Sequence, residues 1–375
     1  MVKKEIRINQ LPAYTYGWLG MNETSVSLPP LAEAPAPKTD LSASVTSSVG
    51  SAARDPKTGS GDAFTALFTE AGIPADIYEV PAGVSPKEPV RQKLRLPANA
   101  FAEKAPASLT KIMLGEGSSL TFLLDVTSAE SAEGIAAFET YLCLEKGAHL
   151  SLVQVLRPGQ KVSLINDIGG QLADGAKLDI VHLFLGGDHL YQGCRIDLLG
   201  TRSELGIDIG YRVAGDGSLD MNYVANHIGK KTRSLILASG ILQDRAKKLF
   251  RGTIDLKNGC AGAVGTETED VLLMDDDVVN QTIPLILCAE EDVEGNHGAS
   301  IGRLDESVLF YMQSRGMTQE AVYEMMARAK IDAVIRRIPD DEMRNTLLGE
   351  DTNPRPAICA EKIAANECPE TCLES

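Results

Sequence analysis

The sequence predicts a mainly β chain whose core is a stacked parallel solenoid, and three observations carry that prediction. Between about 112 and 290, short runs alternate apolar and polar residues: SLTFLLDV, HLSLVQVL, KLDIVHLFL and ELGIDIGYRV. Alternation with a period of two marks strands with two unlike faces. Similar small or polar turns lead into these runs, GSSL at 117–120, GAHL at 147–150, GAKL at 175–178 and, more weakly, RSEL at 202–205. Their spacing of about 27 to 30 residues reads as an internal repeat. No amphipathic helical stretch separates the runs, which excludes helical crossovers between parallel strands. Antiparallel hairpins closing a sandwich or barrel would give a similar spacing. The solenoid is preferred because hairpin turns of the Asn-Gly or Asp-Gly type are few, Asp216-Gly217 with Lys257-Asn258-Gly259 being the clear pair. In a solenoid each coil buries its inward residues against the next and leaves extended outward faces suited to recognition.

Taken in order, residues 1–110 form a mixed and partly helical N-terminal region. Within it LSASVTSSVGSAARDPKTGSG (41–61) is low in complexity and reads as a mobile loop, followed by the proline-punctuated IPADIYEVPAGVSPKEPV. Residues 111–305 carry the repeat. Residues 306–350 form a helical region: Ala321, Val322, Met325, Met326, Ala329, Ile331, Val334, Ile335 and Ile338 recur at helical spacing. Thr318 stands as the N-cap, Pro339 ends the helix, and Asp340 can cap a second, shorter one. The apolar stripe of the longer helix is expected to close the end of the solenoid. A tail, 351–375, carries Cys359, Cys368 and Cys372.

The whole-chain numbers set bounds on function. With 375 residues, 43% of them hydrophobic, the chain can bury a large core. A net charge of −16 gives a nucleic-acid role no electrostatic support and points to proteins or cations as partners. No run of roughly 18 apolar residues and no leader-like h-region appears, so the expectation is a cytoplasmic protein with no membrane partner. In a reducing compartment its seven cysteines are expected as thiols. No GxxxxGK[ST] phosphate loop and no Gly-x-Ser-x-Gly elbow is present.

Three spaced segments then match one family in order: VANHIGKKTRSLILASGILQDRAKKLFRGTIDL (224–256), VLLMDDDVVNQTIPLILCAEEDVEGNHGASIGRLD (271–305) and LFYMQSRGMTQEAVYEMMARA (309–329). Through them the chain resembles the SufB/SufD family of iron–sulfur cluster assembly proteins. The opening INQLPAYTYGWLGMNET is similar to the start of SufD-type members. The resemblance implies a right-handed parallel β-helix with helical segments at both ends. It also implies a noncatalytic scaffold that pairs with a SufB-type subunit and binds the SufC-type ATPase through its C-terminal helices. Iron and sulfide would be carried transiently as a nascent cluster, with no tightly bound cofactor. SufB-type members have a cysteine where this chain has about Glu269, and a His-Glu pair where it has His297-Gly298, so the likeness is to SufD. SufD members often carry a cysteine two residues before the histidine; here it is Gly295.

His297 is the leading metal or cluster candidate. A neutral imidazole binds Fe(II) without adding negative charge, and Gly298 with Ala299 leaves the ring accessible. Glu294 is expected to orient it or add an oxygen ligand. The bland reading is a histidine bonded within a tight turn. Cys288 in PLILCAEED is a further candidate, though a lone strand cysteine is usually a small core hydrophobe. Asp275-Asp276-Asp277 reads as solvated turn. His182, His189 and Cys194 match no chelating pattern and read as outward or stacked strand residues, and the tail thiols lack a Cys-x2-Cys pair. By the resemblance, Tyr311, Arg315, Met317, Met325, Met326 and Arg328 are candidates for the ATPase contact, methionine supplying adaptable apolar surface. Two other functions stay open: a homodimeric scaffold of a minimal system, and a β-helical enzyme acting on polysaccharide.

Overall fold

The computed structural model describes residues 3–15, 17–50 and 56–349. The tail with Cys359, Cys368 and Cys372 lies outside the described residues. The chain starts with an antiparallel pair, β1 (Lys4–Ile8) and β2 (Thr24–Leu28). Short strands follow: β3 (Leu31–Glu33), β4 (Lys38–Asp40) and β5 (Thr46–Gly50). Helix α1 (Asp62–Ala71) precedes β6 (Ala75–Val80) and β7 (Val90–Leu96). The repeat region then gives β8 (Ala105–Leu114), β9 (Ser119–Ser128), β10 (Gly134–Leu144), β11 (His149–Arg157), β12 (Val162–Leu172), β13 (Lys177–Phe184) and β14 (His189–Leu198). It continues with β15 (Glu204–Val213), β16 (Ser218–His227), β17 (Arg233–Leu242), β18 (Lys247–Leu256), β19 (Ala263–Leu273), β20 (Val279–Cys288) and β21 (Val293–Gly302). Helices α2 (Glu306–Ser314), α3 (Gln319–Ile335) and α4 (Asp341–Leu348) close the described chain.

Even-numbered strands from β6 to β20 stack parallel in one sheet and odd-numbered strands from β7 to β21 in the other. Each coil gives one strand to each sheet, a parallel β-solenoid of about seven turns. The repeat seen in the sequence is the register of this stack. Leu150 pairs with Leu120 below it and Leu178 above it, and Leu178 in turn with Leu205. On the other sheet Leu114, Leu144, Leu172 and Leu198 form a second ladder of buried leucines. The similar turns have a backbone cause. Gly117, Gly147 and Gly175 sit at φ near +64°, the left-handed region that glycine enters without steric cost, and Arg202 holds the same conformation in the weaker copy.

The N-terminal region is more β than expected. Its one α-helix is α1, the first coil forms from β6 and β7, and the boundary expected at 111 falls inside β8. The segment 41–61, expected as a mobile loop, contributes β5, which pairs antiparallel with β6; residues 51–55 lie outside the described residues. Segment 57–61 then straps the outer face of the even sheet. Ser60 N–H donates to Asp167 Oδ1 at 2.8 Å and Asn222 Nδ2 to Gly59 O at 2.9 Å. The strap lies so close that a Cβ on Gly59 would sit 1.9 Å from the backbone nitrogen of Cys194.

Thr318 and Asp340 are N-caps, accepting from Ala321 N–H at 3.2 Å and Met343 N–H at 2.8 Å. The apolar stripe of α3 does not close the solenoid end, contrary to expectation. Val322, Tyr323, Ala327, Ile331, Val334 and Ile335 pack on Leu123, Val153, Val181, Leu183 and Ile241. That surface is the outer face of the odd sheet, which offers apolar outward residues over its middle coils, so the helix binds the flank and the end stays open. Among the described residues no helix is long and apolar enough to cross a membrane.

Candidate functional site

The last coils differ chemically from the rest. Register fixes which side chains enter the lumen. On the odd sheet Ile207, Ile236, Glu267 and His297 stack in one column, and Ile209, Ala238, Glu269 and Ala299 in the next. Two carboxylates thus follow isoleucine and alanine on the inward side. On the even sheet the leucine ladder is interrupted at His227 before it resumes at Leu256, and Leu219 is followed by Lys248.

Glu269 and Lys248 form an ion pair inside the lumen, both essentially inaccessible to solvent. Thr282 Oγ1 donates to Glu269 Oε2 at 2.6 Å, Tyr211 Oη donates to Glu269 Oε1 at 3.2 Å, and Lys248 Nζ also donates to Thr282 Oγ1 at 2.9 Å. Burial pulls the Lys248 ammonium below its usual range, while Glu269 opposes that shift. A buried pair keeps its charge only when its remaining donors and acceptors are satisfied, as Thr282 and Tyr211 do here. The position where the resemblance puts a cysteine in SufB-type members is therefore a salt-bridged carboxylate.

Glu267 lies across the lumen over Gly252, where a Cβ would sit 2.1 Å from its Oε2. Burial, then repulsion from Glu269, raises its carboxyl to about 7, with Lys248 pulling the other way. His297 follows Glu267 in register on the next strand, so their backbones lie about 4.8 Å apart. His297 is solvent-exposed because, among the described residues, no strand pairs with the free edge of β21. A Cβ on Gly295 would point at Ile286, at 2.8 Å from its Cγ2, so residues 295, 297, 299 and 301 face inward.

Glu294, three residues from His297 on the strand, faces outward and does not share its side, contrary to expectation. Cys288 lies at the corner before β21, its Sγ bonded to Glu290 O at 3.1 Å. His297 stands four residues into β21, roughly 13 Å along the strand from that corner. The structure thus brings together none of His297, Glu294 and Cys288. Among the described residues no three His, Cys, Asp or Glu side chains converge to hold a metal ion. Glu267 and His297 share one face as two neighbouring donors, fewer than a metal ion's coordination shell holds.

His182 is not outward but buried in the lumen, its Nδ1 2.6 Å from Tyr223 Oη, and burial lowers it to about 3, so it stays neutral. His189 is a surface residue beside Ser218 Oγ at 2.8 Å, and burial pushes the Cys194 thiol up. His227 is held between Thr232 Oγ1 at 2.7 Å and Ser234 Oγ at 2.8 Å and lowered to about 4 by burial. His182 and His227 are thus buried and held by hydrogen bonds inside the fold. A polysaccharide-cutting site would need its carboxylates along an open groove, and Glu267 and Glu269 are buried instead.

A second feature is the helical flank. Val308, Phe310 and Tyr311 of α2 and Met325 and Met326 of α3 are exposed apolar side chains. Arg315 stacks over the Tyr311 ring at 5.3 Å, Met317 is half-buried, and Arg328 Nη2 donates to Leu348 O at 3.2 Å, which ties α3 to α4.

Comparison with known proteins agrees with this architecture. The family model described as SUF system FeS cluster assembly, SufBD core domain, matches residues 98–330, more than half of the chain. The iron-sulfur cluster assembly protein SufD of Bacillus subtilis is 28% identical over 138 residues, covering 36% of this chain and 32% of that protein. A SufBD family protein of Staphylococcus saprophyticus is 21% identical over 278 residues, 74% of this chain and 59% of the relative. SufB of Bacillus subtilis is 27% identical over 150 residues, 40% of this chain and 32% of that protein. The matches therefore span from about a third to under two thirds of these relatives' length.

Proposed function

The chain belongs to the SufBD core family of SUF-system iron–sulfur cluster assembly proteins, and from that premise we propose that it is a SufD-like cytoplasmic scaffold subunit. In this reading it pairs with a SufB-type subunit through the open end of its solenoid and binds a SufC-type ATPase through α2 and α3. Iron and sulfide are its cargo, held transiently, and ATP hydrolysis falls to the ATPase.

The observation that carries the proposal is the uncovered last coil. β20 and β21 are each ten residues long and terminal in their sheets, and β21 is exposed along almost its whole length. Such an edge is a template for pairing with another chain. His297 lies on the surface a paired subunit would cover, with Glu267 buried directly beneath it. The partner then supplies the ligands this chain lacks, and the Glu267 carboxyl, with its proton held near neutral pH, can release it as Fe(II) arrives. The buried Lys248–Glu269 pair fits a SufD-like role, because it replaces a thiol with a saturated ion pair.

The test is anaerobic reconstitution of the complex coexpressed with SufB- and SufC-type subunits, comparing wild type with His297→Ala. Size-exclusion chromatography of the same samples reads assembly. The proposal expects an intact mutant complex with cluster yield near background. Normal yield from the mutant complex would remove His297 from the site.

A further inference from the structure

Trp18 is the only tryptophan in the chain and is 89% exposed; Tyr14 is 68% and Leu19 46% exposed. Single apolar surface residues need no explanation. Three within six positions, on a segment fixed from below, do. The excursion between β1 and β2 is closed at its neck by Leu11 N–H donating to Asn22 O at 2.8 Å, and carries a short 3-10 turn over Gly17–Leu19. Beneath it lies a fully buried guanidinium. Arg251 Nε donates to Met21 O at 2.7 Å, Nη1 to Asp220 Oδ1 at 2.6 Å and Nη2 to Thr24 Oγ1 at 3.0 Å. The chain thus builds a rigid base under a tip whose aromatic side chains face solvent.

The contacts of its neck place the base of the excursion on the outer face of the even sheet. Gln10 O accepts from Asn222 on β16 at 3.4 Å, Met21 O meets Arg251 on β18, and Met21 Sδ lies 3.8 Å from Gln281 Nε2 on β20. The excursion therefore climbs coil by coil over the outer face of the even sheet and stops at the free edge strand. Val279, two residues from Gln281 on the outward face of β20, is also exposed. Tryptophan and tyrosine are the residue types that anchor protein interfaces, since they bury large area at low entropic cost.

We propose that Tyr14, Trp18 and Leu19 form a preformed lip of the subunit interface, which grips the outer face of the SufB-type subunit whose strands pair with β20 and β21. The inference rests on the pairing reading above and adds a residue-level anchor to it. The neck of the lip touches β18 and the edge strand β20, so a subunit paired with β20 would lie beside it. Its anchored base leaves mainly side-chain ordering to be met on binding.

Because Trp18 is unique, 5-fluorotryptophan labelling gives one 19F resonance that reads this site alone. The probe is the unlabelled SufB-type subunit, titrated into the labelled chain, with affinities also measured for Trp18→Ser and for the double variant Val279→Arg/Ile301→Arg, which charges the open end. The expected result is a shifted resonance on pairing, affinity weakened about tenfold or more by Trp18→Ser with no change in melting temperature, and pairing abolished in the double variant. A static resonance with pairing lost only in the double variant overturns the lip and leaves the pairing reading standing. Unchanged affinity in both variants overturns both. A resonance that moves when the labelled chain is concentrated alone, and not with the SufB-type subunit, overturns the assignment to that partner in favour of a second copy.

Discussion

The two ends of the solenoid are built on opposite plans. At the N-terminal end the first strands, β6 and β7, are covered by antiparallel strands of five and three residues, β5 and β4, the latter carrying Lys38 and Asp40. Short, polar and antiparallel, these strands end each sheet and leave little edge for another chain to pair with. At the C-terminal end β20 and β21 stand bare for ten residues each, and the helices that could have covered them pack on the flank. The lumen changes with the edge: the middle coils set leucine and isoleucine around a neutral polar cluster of Gln154, Asn166, Gln192 and His182, whereas the last ones bring in the charged Lys248, Glu267 and Glu269. Among the described residues the chain blunts one edge and leaves the other long and bare, which is the contrast the proposed pairing rests on.

If that contrast is real, stability should be concentrated away from the open end. Leu172→Ala, in the buried ladder, is expected to cost about 3 kcal/mol in urea unfolding, whereas Ile301→Ala on the open face should change stability by no more than about 0.5 kcal/mol. Equal costs would break the comparison. The polar lumen sharpens it. Lys248→Met leaves Glu269 buried without its partner and should destabilise by about 3 kcal/mol, while Lys248→Met combined with Glu269→Leu should recover most of that loss. Thermal unfolding of the two variants decides it; no recovery in the double variant would mean that the pair stabilises the coil outright.

The pH profile follows from Glu267. Its folded pKa, about 7, lies above the 4.5 of an unperturbed glutamate. Between those values the folded state holds more protons than the unfolded one, so this contribution is whole below pH 4.5 and lost as pH rises through 7. Glu267→Gln should therefore remove a decline on the order of 3 kcal/mol across that window and be the more stable protein at pH 8. A decline of the same size in the variant would assign the effect elsewhere. The smallest expected effect on folding is at the flank. Phe310→Ala, removing a side chain that is 74% exposed, should leave the melting temperature unchanged and weaken SufC-type ATPase binding in a pull-down from purified components.

The coils were legible in the sequence because their turns demand a left-handed residue at a fixed place, and glycine supplies it at 117, 147 and 175. The caps Thr318 and Asp340 were legible for a similar local reason. The site was only half legible. In TETEDVLL nothing local says whether 267 and 269 or 266 and 268 face inward, since a one-residue slip in register exchanges the two faces, and only pairing with β17 decides. The same parity separates Glu294 from His297, which proximity in sequence had joined. β5 was missed because TSSVG is exposed at every position and has no apolar alternation; it is a strand through its pairing with β6 alone. The lumen histidines needed tertiary partners, Tyr223 for His182 and Ser234 for His227, that lie on other strands.

The open end itself is tested most directly by amide hydrogen exchange of this chain with and without a SufB-type subunit. The account predicts new protection concentrated in residues 279–302, with residues 38–50 at the opposite end unchanged. Protection of the N-terminal edge or of the helical flank, with β20 and β21 still exchanging freely, would contradict it.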